Sequence, residues 1–395
     1  MTAPAIPAAV RSLFTDDVAA LLVALRRELH AHPELSWQET RTQALLERTL
    51  RDAGITDVRR IADTGLVARI PGRVRGAPVI ALRGDIDALP IQEATGLPFT
   101  SRHDGVMHAC GHDVHAAWAV GAALLLQRVP ANGDVLVVLQ PAEEVGEGAE
   151  RVLGSGALEG VRAIFGGHVD RRFDVGQVVA QAGPLAASTD EFTITLTGAG
   201  AHGARPHESA DPVVGLAALI TALQTIISRR LDPAQPGVVT IGVVQAGSAP
   251  NIIPESSSLR GTVRATTSAS RNLIVGEVDR LAVSVAAAYR LQAVVEWGHR
   301  TPPVVNSRDG ALWAASAAAR VLGADAVVPL NTTNMGGEDF AFYLERMPGC
   351  FLRIGARQPG GEMIAAHSPR FQPAEEALFV GAAVLAECAR VASSA

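Results

Sequence analysis

Three short, uninterrupted apolar runs lie in the first half of the chain, at residues 79–82, 135–139 and 163–165. Runs of this kind are typical of strands that are buried on both faces of a sheet covered by helices. Between residues 16 and 52 the apolar positions instead recur at helical spacing, with one His-Pro interruption. The first half of the chain therefore predicts an α/β domain.

From about residue 186 the pattern changes to an order of strand, helix, strand, strand, helix, strand. The predicted strands lie at 192–197, 238–245, 259–265 and 292–297, and the predicted helices at 212–228 and 270–289. This order is that of the ferredoxin-like unit. We therefore expect an inserted α+β domain at 186–301.

After the insertion the chain returns to α/β character, with predicted helices at 309–322 and 375–391 and a strand at 350–354. We expect residues 1–185 and 302–395 to form one catalytic domain, in which helices cover a mixed sheet. The 395 residues exceed one typical core, which agrees with two domains.

Composition narrows the class of protein. With 48% hydrophobic and 19% charged residues, and a net charge of -6, the chain has no basic field for nucleic acid or an anionic membrane. The apolar run 116–126 is too short to cross a bilayer, and the N-terminus lacks a signal-peptide pattern. We expect a cytoplasmic protein with no nucleic-acid or membrane partner. Its three scattered cysteines form no disulfide framework.

Each apolar run leads into side chains that can bind metal or move protons. Asp85 and Asp87 follow the first run, Glu143 and Glu144 follow the second, and His168 follows the third. In open α/β sheets, functional sites form beyond the carboxyl ends of the strands. The three strand ends therefore predict one shared site.

The stretch 108–115, HACGHDVH, holds three histidines, a cysteine and an aspartate. A thiolate beside imidazole suits zinc, cobalt or a similar divalent ion, so the stretch predicts a metal site. The alternative interpretation is the N-terminus of a helix, with the aspartate in its first turn and the histidines on a polar face. Adjacent acidic residues such as Glu143 and Glu144 can simply lie on a solvated loop, which is the alternative to a catalytic role. Since adjacent side chains point in different directions, one carboxylate can bind metal while the other acts on a water.

Nine motifs closely resemble the M20 peptidase family, in particular its amidohydrolase branch of hippurate hydrolases, N-acyl-amino-acid hydrolases and auxin-conjugate hydrolases. The resemblance covers about residues 20–385. The motifs are RRELHAHPELSWQET, LRGDIDALP, HACGHDVH, QPAEE, GGHV, GAGAHGARPH, NIIP with GTVR, GGEDFAFY and HSPRF.

The resemblance implies two divalent metal ions, which are manganese (Mn), zinc (Zn), cobalt (Co) or nickel (Ni). Cys110 would bridge the ions, with Glu144 and His367 completing one site and His112 and His168 the other.

In the same family pattern Glu143 is the general base and Asp87 orients a metal-site histidine. Asp85 stands where many relatives outside this branch carry a metal-binding histidine, so we leave it out of the ligand set.

The inserted domain resembles the family's lid and dimerisation domain. His202 matches a lid histidine that stabilises the oxyanion, reaching the active site of the partner subunit in dimers. Asn251 and Arg264 stand where lid residues contact substrate. The resemblance therefore implies a homodimer or a higher homo-oligomer.

The expected activity is hydrolysis of the amide bond in a small N-acyl or N-aroyl amino acid. A dipeptidase or aminopeptidase of the same family is one alternative, although those relatives usually carry an aspartate at the position of Cys110. A non-catalytic small-molecule-binding protein on this fold, or a hydrolase with Cys110 as nucleophile, are the others. Gly167 and residues 170–173 depart from the family pattern, so the preferred acyl group and amino acid stay open.

Overall fold

The computed structural model describes residues 6–395 and groups the chain into two compact units. The first unit runs through Gly183 and adds Asn306–Asn331 and Asp339–Ala395, and the second comprises Pro184–Val305 and Thr332–Glu338. Thr332–Glu338, which we expected in the catalytic domain, groups with the second unit. The reason is that Asn334 hydrogen-bonds the backbone of Leu185 and Ala187 within that unit.

The first unit is a mixed seven-stranded sheet with helices packed against it, which confirms the α/β prediction. The strands lie in the order β1-β2-β4-β3-β5-β15-β6. Its elements are α1 (Asp16–Ala31), α2 (Thr40–Asp52), β1 (Val58–Ile61), β2 (Gly65–Ile70), β3 (Val79–Asp85), α3 (His112–Arg128), β4 (Val135–Gln140), α4 (Gly148–Gly154), β5 (Val161–Asp174), β6 (Val178–Val179), α7 (Arg308–Leu322), α8 (Phe340–Leu344), β15 (Gly349–Arg357) and α9 (Ala377–Ala392).

The second unit is a four-stranded sheet in the order β10-β12-β8-β13 with antiparallel neighbours, as the ferredoxin-like pattern predicts. Two short two-stranded pairs, β9 with β11 and β7 with β14, accompany it. Its elements are β7 (Gly183–Ala186), β8 (Thr189–Thr197), β9 (Ala201–His202), α5 (Pro212–Thr225), β10 (Gly237–Ala246), β11 (Ile252–Ile253), β12 (Ser256–Ala265), α6 (Ser268–Ala288), β13 (Gln292–Thr301) and β14 (Val304–Asn306).

One helical segment in the described residues, Pro212–Arg230, is long and apolar enough to pass as a membrane span by length and composition. Within its own unit it buries Leu216, Leu219 and Leu223 against the sheet. Such burial is what an amphipathic core helix needs.

Three parallel neighbours, β3, β4 and β5, determine where the polar side chains meet. Asp85 is level with Gln140 across the β3–β4 pair, and Arg83 is level with Gly166 across the β3–β5 pair. The carboxyl ends of these strands therefore form a common edge. His168 was expected just after its strand but lies inside β5, because β5 continues to Asp174 beside β15.

Helix α3 is buried from His112 through Leu126, which explains the unbroken apolar run in its sequence. Helix α3 packs against α9 at two glycines, Gly121 on α3 and Gly381 on α9. A Cβ at Gly121 would lie 2.8 Å from that of Ala382, and a Cβ at Gly381 would lie 2.2 Å from Trp118 Cε3. The two helices approach this closely only because these positions lack a side chain.

We expect Gly381→Ala to lower the free energy of unfolding by about 1–3 kcal/mol, because the new methyl group overpacks the α3–α9 contact. Gly276→Ala is the matched control. It lies in helix α6 with nothing within 4 Å of its added Cβ, so it should gain roughly 0.5–1 kcal/mol from helix propensity. Thermal unfolding followed by circular dichroism measures both, and equal shifts would contradict the packing argument.

Candidate metal centre

The turn into α3 brings Cys110 and His112 to the edge of the sheet. Gly111, between them, has a φ of 94°, a backbone conformation that glycine adopts without strain. A Cβ at Gly111 would also lie 2.5 Å from Val169 Cγ2 on β5. Glycine at this position therefore lets the chain turn sharply and approach the strand that carries His168.

The five predicted ligands come together in two sets that share Cys110. The ligand atoms of Cys110, His112 and His168 all lie within 4.8 Å of one another, as do those of Cys110, Glu144 and His367. Sγ of Cys110 is 3.2 Å from Nε2 of His168. Nε2 of His367 is 3.6 Å from Oε2 of Glu144. A thiolate shared by two cation positions is compatible with this arrangement.

Hydrogen bonds orient both histidines of the first set through Nδ1, leaving Nε2 toward the centre. Nδ1 of His112 lies 3.0 Å from the carbonyl oxygen of Asp87 and 3.1 Å from its Oδ1. Nδ1 of His168 lies 2.7 Å from the carbonyl oxygen of Val169. With Nδ1 as donor in each ring, the Nε2 lone pair is available to a metal.

Two buried polar atoms at the centre have no hydrogen-bond partner among the described residues, namely Nε2 of His112 and Oε1 of Glu144. Buried polar atoms are otherwise almost always paired, because an unpaired one loses its hydration without compensation. A nitrogen, a carboxylate and a thiol facing one point are also the donors that zinc and related divalent ions take. The residues therefore fit a divalent metal.

The electrostatics of the centre favour a cation. Burial raises the pKa of the Cys110 thiol well above its usual range, and the Glu144 carboxylate raises it further. Burial also raises the pKa of Glu144, to about 7. Both groups carry excess negative charge when ionised in this enclosed space, so each ionises more readily when a cation is present.

The second carboxylate of the pair, Glu143, lies on the same tight turn after β4. Its Oε2 is 3.8 Å from Nε2 of His112, the same distance as Oε1 of Glu144. Ala142, just before the pair, has a φ of 54°. The turn therefore presents both carboxylates to the centre from one short segment.

A hydrogen-bond network of Asp85, His115 and Arg83 lies next to the candidate centre. Asp85 accepts hydrogen bonds from Nδ1 of His115 at 2.6 Å and from Nη1 of Arg83. Nε2 of His115 accepts the Val169 backbone N–H at 3.0 Å, next to His168. Asp85 is thus engaged by a histidine and an arginine. The i, i+3 spacing of His112 and His115 in HDVH is the signal that both face one side of α3.

Behind α3, His30 has a partner that its sequence context did not reveal. Its Nδ1 lies 2.7 Å from Oδ2 of Asp113, and its Nε2 lies 3.1 Å from Oε1 of Glu93. Arg26 also lies 2.9 Å from the Asp113 carboxylate. These contacts hold the first turn of α3, which carries His112, through the neighbouring residue Asp113.

Of the three residues predicted in the second unit, His202 and Asn251 are neighbours. His202 on β9 pairs with Ile252 on β11, and Gly203 N–H donates to the Asn251 carbonyl at 2.8 Å. The side chains of His202 and Asn251 are exposed. Arg264 lies apart from them on β12, half-buried, with its guanidinium donating to Thr189 Oγ1.

Comparison with known proteins identifies the family of the chain. The sequence profile of peptidase family M20/M25/M40 matches residues 81–391. A Bacillus subtilis (strain 168) protein named N-acetylcysteine deacetylase is 44% identical over 373 residues, 93% of this chain and 96% of the relative. The chain belongs to the M20 peptidase family.

Two further relatives place it among the amide-cleaving members. The Arabidopsis thaliana protein named IAA-amino acid hydrolase ILR1-like 4 is 35% identical over 384 residues, 95% of this chain and 86% of the relative. A solved Bacillus subtilis structure, described as a dinuclear metal binding peptidase from the M20 family, superposes with a TM-score of 0.84. It is 38% identical and covers 96% of this chain and 99% of that one. This M20 chain is a metal-dependent amidohydrolase.

Metal uptake by this M20 chain should depend on pH through Glu144 and the Cys110 thiol, because each releases its proton when a cation binds. A cation binds the ionised carboxylate, so below the pKa of about 7 it must displace a proton and above it the proton has already left. The apparent affinity for added Zn²⁺ or Mn²⁺ should therefore rise between about pH 6 and about pH 8. Calorimetric titration of metal-stripped protein measures it, with exposed Glu150→Ala as control. A constant affinity across this range would contradict the argument.

Proposed function

We propose that this amidohydrolase cleaves the amide bond of small N-acyl and N-aroyl amino acids, with N-acetylcysteine as the first substrate to test. Water adds across the C–N bond, releasing a carboxylic acid and a free amino acid. The observation that carries the proposal is the meeting of Glu143 with two ligand sets that share Cys110. The relatives named for N-acetylcysteine and IAA-amino acids support this class of substrate.

Glu143 acts as the general base and then as the general acid in this proposal. It accepts a proton from the attacking water and delivers it to the amine that leaves. Two divalent ions, of manganese, zinc, cobalt or nickel, would be held by Cys110, Glu144, His367, His112 and His168. When bound, such ions polarise the amide carbonyl and lower the pKa of the attacking water. Asp87 keeps His112 in the tautomer that such a site needs.

The second unit supplies substrate contacts in this proposal. Exposed His202 would donate a hydrogen bond to the developing oxyanion, reaching the active site of a partner subunit, and Asn251 would lie beside it. Arg264 would bind the α-carboxylate as a charge-assisted donor. A homodimer or higher homo-oligomer and a cytoplasmic location belong to the same proposal.

Replacement of Glu143 with Ala should lower kcat by about 10²–10⁴-fold, the usual contribution of a positioned acid-base group. Metal content measured by plasma mass spectrometry should stay at the wild-type value, because Glu143 is not one of the proposed ligands. Glu150→Ala, an exposed glutamate on nearby α4, is the matched control and should keep full activity. Wild-type kcat in the Glu143 variant would refute this mechanism.

A pair of matched substrates distinguishes an N-acyl amino acid hydrolase from a dipeptidase. N-acetylcysteine and glycylcysteine differ by one ammonium group next to the same amide carbonyl. An N-acyl amino acid hydrolase should show a kcat/KM at least about tenfold higher for the first, because an apolar acyl pocket penalises a buried ammonium. Chromatographic assay of released cysteine measures this, and released glycine measures the cleavage of hippurate as an aroyl substrate. A preference for glycylcysteine favours the dipeptidase.

A further inference from the structure

The segment Ser36–Glu39, between α1 and α2, makes buried polar contacts with the edge of the centre. Ser36 Oγ donates to Oδ2 of Asp87 at 2.7 Å. Oε1 of Glu39 accepts the backbone N–H of Ala142 at 2.9 Å. This segment lies within a motif that the catalytic proposal leaves without a role. Its contacts reach both Asp87 and the turn that carries Glu143.

Glu39 is an acidic residue that the fold removes from water. Its side chain is fully buried, and its second oxygen accepts the Thr64 hydroxyl at 2.6 Å. Burial raises the pKa of Glu39 above its ordinary value. A buried carboxyl group is costly unless its hydrogen bonds are made, so a role beyond filling space explains its presence here better than core packing does.

The turn that Glu39 contacts has a backbone that needs support. Ala142 has a φ of 54°, in the left-handed region that residues with a Cβ seldom occupy. Its carbonyl accepts from Gly148 N–H at 3.1 Å, and the Glu143 carbonyl accepts from Gly146 N–H at 2.7 Å. Strained conformations of this kind persist when surrounding contacts over-determine them.

The two backbone N–H groups on either side of Glu143 are both held by buried carboxyl groups. Ala142 N–H donates to Glu39, and Glu144 N–H donates to Oδ2 of Asp87 at 3.0 Å. These bonds fix the 141–142 and 143–144 peptide units in direction, and the 142–143 unit between them is held through the Ala142 carbonyl, which accepts from Gly148 N–H. The backbone conformation of Glu143 in turn sets the direction of its Cα–Cβ bond and restricts its side-chain rotamers.

We infer that Glu39 is a positioning residue for Glu143: its hydrogen bond to Ala142 N–H holds the left-handed turn that aims the general base at the centre. The inference rests on the proposed function of Glu143. Glu39 itself touches neither substrate nor metal and acts only through the turn.

Variants of Glu39 can keep or remove its hydrogen bonds to Ala142 and Thr64. Glutamine keeps Oε1 as acceptor for Ala142 N–H, and its amide can donate to the Thr64 hydroxyl, so Glu39→Gln conserves the contact. Glu39→Met keeps the volume but removes both acceptors. Glu39→Asp keeps the carboxyl group but shortens its reach by one methylene. Gln43→Ala is the structural control, because the Gln43 side chain in the first turn of α2 donates to Asp63 O at 3.2 Å and to Gly65 O at 2.9 Å without touching the turn that carries Glu143.

Steady-state kinetics on metal-loaded protein tests the inference. Glu39→Met should lower kcat by about 10–100-fold, because a small displacement of a reacting group has this effect. KM and metal content should stay within about twofold of wild type, and Glu39→Gln should stay within about threefold in kcat. Glu39→Asp should fall between them, and it answers the question if the Met variant does not fold. Gln43→Ala should lower thermal stability but leave kcat unchanged.

Hydrogen–deuterium exchange gives a readout that does not depend on activity. In Glu39→Met, peptides covering residues 140–148 should exchange faster while the rest of the first unit keeps its protection. In Glu39→Gln they should match wild type. A loss of protection spread over the whole unit would mean that Glu39 only stabilises the fold, and it would overturn the inference.

The outcomes separate this inference from the proposed function. If wild type cleaves N-acyl amino acids and folded, metal-loaded Glu39→Met and Glu39→Asp keep wild-type kcat, the positioning role is wrong and the proposed function stands. If wild type cleaves none of them, the proposed function fails. Exchange at 140–148 then decides alone whether Glu39 holds the turn: local loosening supports that role, and unchanged exchange refutes it.

Discussion

Burial of charge constrains the first unit more than any other interaction. Asp85, Asp87 and Asp113 are all fully buried at the edge of the sheet, and a carboxylate taken out of water is tolerated only when it is paired and hydrogen-bonded. The partners come from α1, α3 and the turn after β4. These elements must meet at this edge for the charges to be satisfied, so the fold and the candidate centre are specified by the same contacts.

Much of this arrangement could be predicted because it follows local patterns. Apolar runs of three to five residues predicted the parallel strands, and the polar residues at the ends of β3 and β4 had to lie at their common edge. The HACGHDVH cluster is short enough that Cys110 and His112 need only one glycine turn to face the same point. The ferredoxin-like order of the second unit could also be predicted from local patterns, since each of its strands and helices carries its own periodicity.

The remaining contacts could not be predicted because their partners are distant in sequence and ordinary in type. Nothing local distinguishes Glu39 from a surface glutamate, yet it bonds a residue 103 positions away. His367 follows no predicted strand and was placed only by resemblance to a family. Gln140 likewise has a distant partner, because its Nε2 donates to Oδ2 of Asp339, 199 positions along the chain, at 2.8 Å. Periodicity reports which face of an element is buried, but it does not report what covers that face.

The five candidate ligands differ in how firmly the chain holds them. Cys110, His112 and His168 are buried on or beside regular elements, whereas His367 lies on a loop at a φ of 66° with its side chain 54% exposed. Exposed loops open at much lower free energy than core strands and helices. A cation bound through His367 as proposed would therefore leave by a local motion, whereas one bound by the buried trio would need a larger opening of the unit. Two ions held by the proposed ligands would therefore have unequal residence times, and under metal scarcity the centre would empty in two stages.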